Sequence, residues 1–535
     1  MRNLTFNNAA TAISQGFDWG WLYQGITINN CSIGIDMTSN SGGVQPVGSV
    51  TLIDSDINNT PIGIATIHTI ANNTPSTGGS LEIENVRINN VPTAISGANG
   101  VVLLGGSTGP TTIPAWVQGH IYTPIGPQNI QGPITPTARV PSLLSGTEYY
   151  SRSKPQYENL PASTFLSVRS AGATGNGHTD DTAALQRVIN KAASTGQVVY
   201  FDQGDYLVST TLTFPPGVKV TGESYPVILA SGSFFANINN PQPVVQVGQP
   251  GQGGYIEWSD MIVSTQGGLA GAILIQWNLI SSTPSGMWDV HTRIGGFIGS
   301  DLQLEQCPVT NATTITAQNI DKNCLAAFMS MHVTPSATNL YMENNWLWTA
   351  DHDVDNPEST QITVYTGRGL LIESAPGTNW FYGTAVEHHS LYQYGLANTG
   401  DNFLGFIQTE TPYYQPNPPA GVPFPPNPTY LDPKYVPGQS AWALHVDNSH
   451  NINIYGAGLY SFFDNNNVTC SNQGDGEHCQ SMDFSVDSAS ARTMALYGYS
   501  TVGVTYMITL NGENIANYAQ NLDGFVDTIA MFREY

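Results

Sequence analysis

Four times in its first ninety residues the chain repeats one phrase: Leu4-Thr-Phe-Asn-Asn-Ala, Ile26-Thr-Ile-Asn-Asn-Cys, Ser55-Asp-Ile-Asn-Asn-Thr and Val86-Arg-Ile-Asn-Asn-Val. The Asn-Asn pairs start at 7, 29, 58 and 89, so the spacings are 22, 29 and 31 residues. A period of that size is one coil of a parallel β-helix with loops of varying length. Alternation within each phrase turns Ile26 and Ile28 inward. Asparagine tolerates the left-handed backbone that a coil corner needs, and it can bond to its counterpart in the next coil. A leucine-rich repeat would require its own leucine spacing, which is absent.

The phrase is lost after about residue 106. Residues 107–161 are rich in Pro, Gly, Thr and Gln, as in Pro124-Ile-Gly-Pro127, and read as an ordered connector. A new unit, 162–535, opens with Gly-Asn-Gly-His-Thr-Asp180-Asp181-Thr-Ala-Ala-Leu. Asp180 or Asp181 can cap a helix with Ala184, Leu185, Val188 and Ile189 on one apolar face, followed by a strand Val198–Phe201. Such a helix would close the open end of a solenoid. Short strands then continue past Leu444–Tyr455, interrupted by Thr411–Gln439, which is too rich in proline for a central strand. Loops of that length inside compact domains usually serve function. The expected fold is all-β: two tandem right-handed parallel β-helices, 1–106 and 162–535, with a capping helix at the start of the second.

Only 10% of residues are charged, against roughly 25% in an average soluble protein. The surface must therefore be built from Asn, Ser, Thr, Gln and Tyr, which suits neutral sugars. Fifteen basic against 39 acidic residues leave a net charge of −24, which repels nucleic acid and polyanionic polysaccharide. No stretch reaches the ~20 apolar residues of a membrane helix, and Met1–Asn8 carries no signal-peptide run. Of five cysteines, Cys307 and Cys324 are close in sequence, as are Cys470 and Cys479. Two local disulfides with Cys31 left over is one reading, and five buried thiols is the other. Sequons at Asn3, Asn30, Asn58, Asn72, Asn311 and Asn467 agree with secretion.

Glycoside hydrolysis needs one carboxylic acid to protonate the leaving oxygen and one carboxylate on the water or nucleophile side. Residues 344–415 interleave acids with aromatic rings: Trp346-Leu-Trp348, Asp351-His352-Asp353, Glu373, Trp380-Phe-Tyr382, Glu387-His388, Gln408-Thr-Glu410 and Tyr413. Glu387 and Glu410 are 23 residues apart, about one coil, so both can lie on the same side of adjacent coils. Aromatic faces pack on pyranose rings, but in a β-helix they are equally core residues.

The segments Gly172-Ala-Thr-Gly-Asn-Gly-His-Thr-Asp-Asp, Met287-Trp-Asp-Val-His-Thr-Arg-Ile-Gly-Gly296, Trp346-Leu-Trp-Thr-Ala-Asp-His-Asp353, Tyr382-Gly-Thr-Ala-Val-Glu-His388 and Gln408-Thr-Glu-Thr-Pro-Tyr-Tyr-Gln-Pro416 resemble those of glycoside hydrolase family 55. These are fungal exo-β-1,3-glucanases built from two β-helices joined rib to rib. The resemblance spans essentially the whole chain and is most specific in its last two segments. It implies hydrolysis of β-1,3-glucan from the non-reducing end with inversion, Glu410 as general acid and Glu387 on the water side. It also implies secretion, a monomer and no cofactor. Phe406 and Tyr413 are expected to wall Glu410, with Trp348, Asp353, Trp380, Tyr382, His388, Gln408, Tyr413, Asp289 and His291 as sugar contacts.

Several readings stay open. Asp289, His291 and Arg293 share a strand face and either bind hydroxyls or pair with one another. Asp351-His352-Asp353 lies on alternating faces, so no metal is expected there. A non-catalytic carbohydrate-binding solenoid and a polysaccharide lyase on the same fold are the rival functions. Members of the family begin with a secretion signal and a complete first β-helix, whereas Met1 lies inside a repeat phrase; coils before it are expected to be missing.

Overall fold

The computed structural model describes residues 1–39, 46–69, 78–310, 312–472, 477–523 and 526–534. Asn72 and Asn311 lie outside the described residues. The repeat phrases pair as parallel strands in the register the sequence implies: Phe6, Ile28, Ile57 and Ile88 follow one another, and so do Asn7, Asn29, Asn58 and Asn89. Ile26 and Ile28 are buried. The second asparagine of each phrase takes the left-handed conformation, with φ between 48° and 60° at Asn8, Asn30, Asn59 and Asn90. Side-chain amides run between coils, from Asn29 to Asn7 (3.0 Å), Asn58 to Asn29 (3.1 Å) and Asn90 to Asn59 (3.1 Å). Each burial of an isoleucine in this column stabilises by about 1.5–3 kcal/mol, and the amides fix the corner that aligns it.

A longer stack follows. Its inward column runs Val220, Trp258, Met287, Met342, Phe381, Leu404, Ile454, Leu496 and Phe532, each in register with the next and each fully buried. The helix Thr182–Thr195 buries Ala184, Leu185, Val188 and Ile189 against its start and ends at Gly196, φ 71°. Asp180 accepts the Thr182 amide at 3.0 Å. Asp181 turns back instead to the amides of Thr174 and Gly175. The strand Val198–Phe201 follows as expected.

The stretch 107–161 is more than a connector. Thr111–Tyr122 is a strand that pairs antiparallel with Ser80–Asn89 and parallel with Asp527–Arg533, so it carries hydrogen bonding from one stack to the other. Gln128–Pro133 pairs back on it. Pro114 falls at a strand position where the antiparallel ladder passes from Ile113 to Ala115 without needing its amide. Residues 139–152 then wedge between the stacks. Half-buried Arg139 bonds Asp54 and Glu84, both at 2.6 Å, and lies over the Tyr149 ring. An aromatic layer of Trp288, Tyr341, Trp380, Tyr382, Phe403, Tyr455 and Tyr497 packs there between the two cores. Disulfides join Cys307 to Cys324 and Cys470 to Cys479, and Cys31 is a buried thiol. No helix is long and apolar enough to cross a membrane among the described residues.

Candidate active site

The strands Asn379–Glu387 and Gly400–Glu410 lie side by side with Glu387 directly opposite Glu410. Trp348 precedes the pair in the neighbouring coil and Tyr460 follows it. Val386, Thr409 and Leu459, one residue earlier in each strand, are fully buried, so strand alternation turns both glutamates outward.

Glu387 is 7% exposed, and its Oε2 accepts the Trp346 indole N–H at 2.8 Å. Burial, then the charge of Glu410, push its carboxyl up to about 7. The Glu410 side chain is 21% exposed. Its Oε2 accepts the Tyr413 hydroxyl at 2.9 Å and lies 3.5 Å from Nε2 of His388. Burial works against charge on His388, but Asp351, then Glu410 and Glu387, outweigh it and raise the imidazole to about 9. Near neutral pH the site thus holds an imidazolium beside two carboxyl groups, of which Glu387 keeps its proton to unusually high pH.

Around this pair the rings form two walls. Trp346, 39% exposed, stacks on buried Trp348 with centroids 5.0 Å apart. Tyr413 stacks on Phe463 at 3.8 Å and meets the His388 ring edge-on at 4.7 Å. Trp19 of the first stack packs edge-on against Tyr460, the residue above Glu410. Gln408, half-buried, lies two residues before Glu410 on the same face, in a column with Trp346, Ala385 and Gly458. Farther back along the strands a cavity of about 630 Å³ opens between the stacks, lined among others by Trp21, Trp288, Asp289, Tyr382 and Phe406.

Several expected sugar contacts take other duties. Trp380 is buried between the stacks and donates to Leu143 O at 3.0 Å, because the wedge 139–152 occupies the space a ligand would need. Tyr382 is held likewise, donating to Tyr150 O at 2.7 Å, and lines the cavity between the stacks. Asp353 is spent on its own loop, accepting from Gln303, Leu304 and Asp355. Trp348 lies under Trp346 and donates to Asp351 at 3.2 Å, which makes it the support of the wall. Asp289, left-handed at a corner, pairs with Lys154 at 2.8 Å. His291 accepts the Trp346 amide at 3.0 Å and so holds that wall in place. Phe406 does not wall Glu410: it sits four residues back at a left-handed corner, φ 56°, between Gly383 and Gly456, and meets Trp21 of the first stack. The structure adds Trp346, Asp351 and Phe463. Trp346 was visible as the alternation partner of Trp348; Phe463 left no signal.

The family model for rhamnogalacturonase A/epimerase, pectate lyase-like, matches residues 1–36 and 165–281. A glucan 1,3-beta-glucosidase of Cochliobolus carbonum is 44% identical over 99% of this chain and 66% of its own length. A probable glucan endo-1,3-beta-glucosidase of Arthroderma benhamiae is 37% identical over 100% of this chain and 71% of its own. The chain thus spans about two thirds of these relatives. A solved structure of a variant of sacteLam55A from Streptomyces sp. SirexAA-E in complex with glucose is 15% identical, with TM-score 0.40, covering 96% of this chain and 80% of that one. Matched over essentially its whole length by the two fungal relatives, the chain belongs to their family, glycoside hydrolase family 55.

Proposed function

We propose that this chain hydrolyses β-1,3-glucan at the Glu387–Glu410 pair, releasing glucose from the non-reducing end. The observation that carries this reading is the pair itself: two outward glutamates in register, flanked by an exposed indole on one side and the Tyr413–Phe463 stack on the other. The relatives' names support the substrate, one naming a glucosidase and the other an endo-glucosidase. Glu410 protonates the glycosidic oxygen as the bond to C1 breaks. Water adds to C1 from the opposite face and passes a proton towards Glu387, so the anomeric configuration inverts. Loss of the proton from Glu410 raises the affinity of Glu387 for one, because the charge of Glu410 is one of the causes that hold the Glu387 carboxyl up. The coupling therefore runs with the reaction. No cofactor enters these steps. The two disulfides support folding in an oxidising compartment and hence secretion, and the chain is read as a monomer.

The test is laminarin hydrolysis by wild type and Glu410→Gln, with products separated by size and the first-formed anomer read by NMR. Glucose appearing first as its α-anomer, and a loss of at least ~100-fold in kcat for Glu410→Gln, are expected for removal of a general acid. Oligosaccharides of mixed length as first products would overturn the exo assignment. An unchanged rate for the variant would overturn Glu410 as acid.

A further inference from the structure

His388 is built into the site more firmly than a sugar contact needs to be. It takes a left-handed φ of 67°, a conformation unfavourable for a non-glycine residue that persists where surroundings enforce it. Its amide donates to Glu410 O at 2.9 Å, so its main chain is tied to the residue whose carboxyl its ring faces. On the far side Nδ1 lies 2.9 Å from Thr349 O and 3.4 Å from Asp351 Oδ1, two acceptors that keep a proton there. Nε2 is left facing Glu410. It is buried, makes no hydrogen bond among the described residues, and stands 3.5 Å from Oε2.

The charged and titratable groups around His388 come from several elements. Asp351 stands in the loop after the strand Trp346–Thr349, Glu387 ends the strand that leads into His388, and Glu410 and Tyr413 face it from the next coil. His389 points into the core and is held neutral, pushed down to about 3 by burial and by His388. Asp351 is itself fixed, accepting Trp348 Nε1 through Oδ1 and lying 2.9 Å from His352 Nδ1 through Oδ2. Tyr413 and His388 both address Oε2 of Glu410, whereas Oε1 accepts no hydrogen bond from the described residues.

We propose that His388, backed by Asp351, is a positioning residue for the acid: it holds Glu410 by Oε2, so that Oε1 carries the proton to the glycosidic oxygen, and its cation offsets the negative charge left behind. The inference rests on the reading of Glu410 as general acid. In the delivery step the Oε1–H bond breaks, the proton and the C1–O electron pair end on the leaving hydroxyl, and the new carboxylate faces the imidazolium.

A group that acts only through the acid matters little when the leaving group needs no proton. The test is therefore kcat on laminarin against kcat on 2,4-dinitrophenyl β-glucoside for wild type, Glu410→Gln, His388→Phe and Asp351→Asn. His388→Phe is expected to lose ~30-fold or more on laminarin with KM within ~3-fold, and less than ~3-fold on the activated glucoside; Asp351→Asn is expected to show the same selectivity with a ~5- to 10-fold loss. Asp351→Asn carries the test where His388→Phe does not fold. Equal losses on both substrates, while Glu410→Gln discriminates between them, overturn the inference alone. A Glu410→Gln variant that falls equally on both, or a wild-type chain that releases no glucose, overturns the acid assignment and the inference with it.

Discussion

Two pairs of acids in this molecule each contain a carboxyl that burial pushes up, and otherwise they differ. Glu387 and Glu410 lie outward on adjacent coils. Glu477 and Asp527 lie sealed near the far end of the second stack, where Asp527 is fully buried and Glu477 nearly so. Burial, then the charge of Glu477, push Asp527 up to about 10. The two Asp527 oxygens and Oε1 of Glu477 find no donor, and no cationic side chain among the described residues is paired with either acid. A proton must sit between two such carboxyls. The first pair has an indole donor, an imidazolium and an opening to solvent; the second has none of these. A displaced proton affinity therefore marks burial as readily as chemistry, and what distinguishes a working pair is access together with a counter-charge able to take up the charge that moves.

The comparison breaks most visibly if the sealed pair proves to matter for turnover. Glu387→Gln is expected to lower kcat on laminarin by ~100-fold or more as the water side loses its base, while Asp527→Asn stays within ~2-fold. A parallel loss in both variants would show that the distal pair serves the reaction. A second contrast uses opposite charges. Arg368, fully buried, forms a bidentate ion pair with Asp432 and thereby pins the proline-rich insertion 411–439 onto the coils. Removing one partner strands a buried charge, so Asp432→Asn is expected to cost about 3–5 kcal/mol of unfolding free energy, measured by denaturant unfolding. A shift below about 1 kcal/mol would mean that the insertion is held by its apolar contacts alone.

How far the sequence disclosed this follows from how evenly it repeats. In the first stack the coil length stays between 22 and 31 residues, and the Asn-Asn phrase exposed register, inward column and corner conformation together. In the second stack the same inward column joins Met287 to Met342, 55 residues on, and Phe381 to Leu404, only 23 on. Loops of such unequal length erase the period from the sequence while the coils keep it in space. The Glu387–Glu410 register was legible because no loop of note intervenes. The duties of Trp348, Trp380 and Tyr382 were not, because they depend on the wedge 139–152 and on Trp346 lying above Trp348. Periodicity within one coil carries no trace of either. Asp351 fell between readings for the same reason: alternation set it aside as a metal ligand, and only the turn after Thr349 brings it to His388.

The smallest expected effect is the one that sharpens the comparison most, because it isolates the sealed pair from activity. Asp527 holds its proton up to about 10 in the folded chain, against 3.8 for the free side chain. Between those values the unfolded chain has released a proton that the folded chain retains, so unfolding becomes more favourable as pH rises through this window; below about 4 both states are protonated and the penalty vanishes. Glu82 and Asp483, also pushed well up by burial, contribute in the same direction and remain in any variant of Asp527. Asparagine keeps the shape of the protonated acid and cannot ionise. The difference in Tm between Asp527→Asn and wild type is therefore expected to be small at pH 4 and to grow in favour of the variant towards pH 8. A difference that stays constant across that range would mean that Asp527 ionises in the folded chain as readily as in the unfolded one, and the sealed pair would then hold no displaced proton to compare.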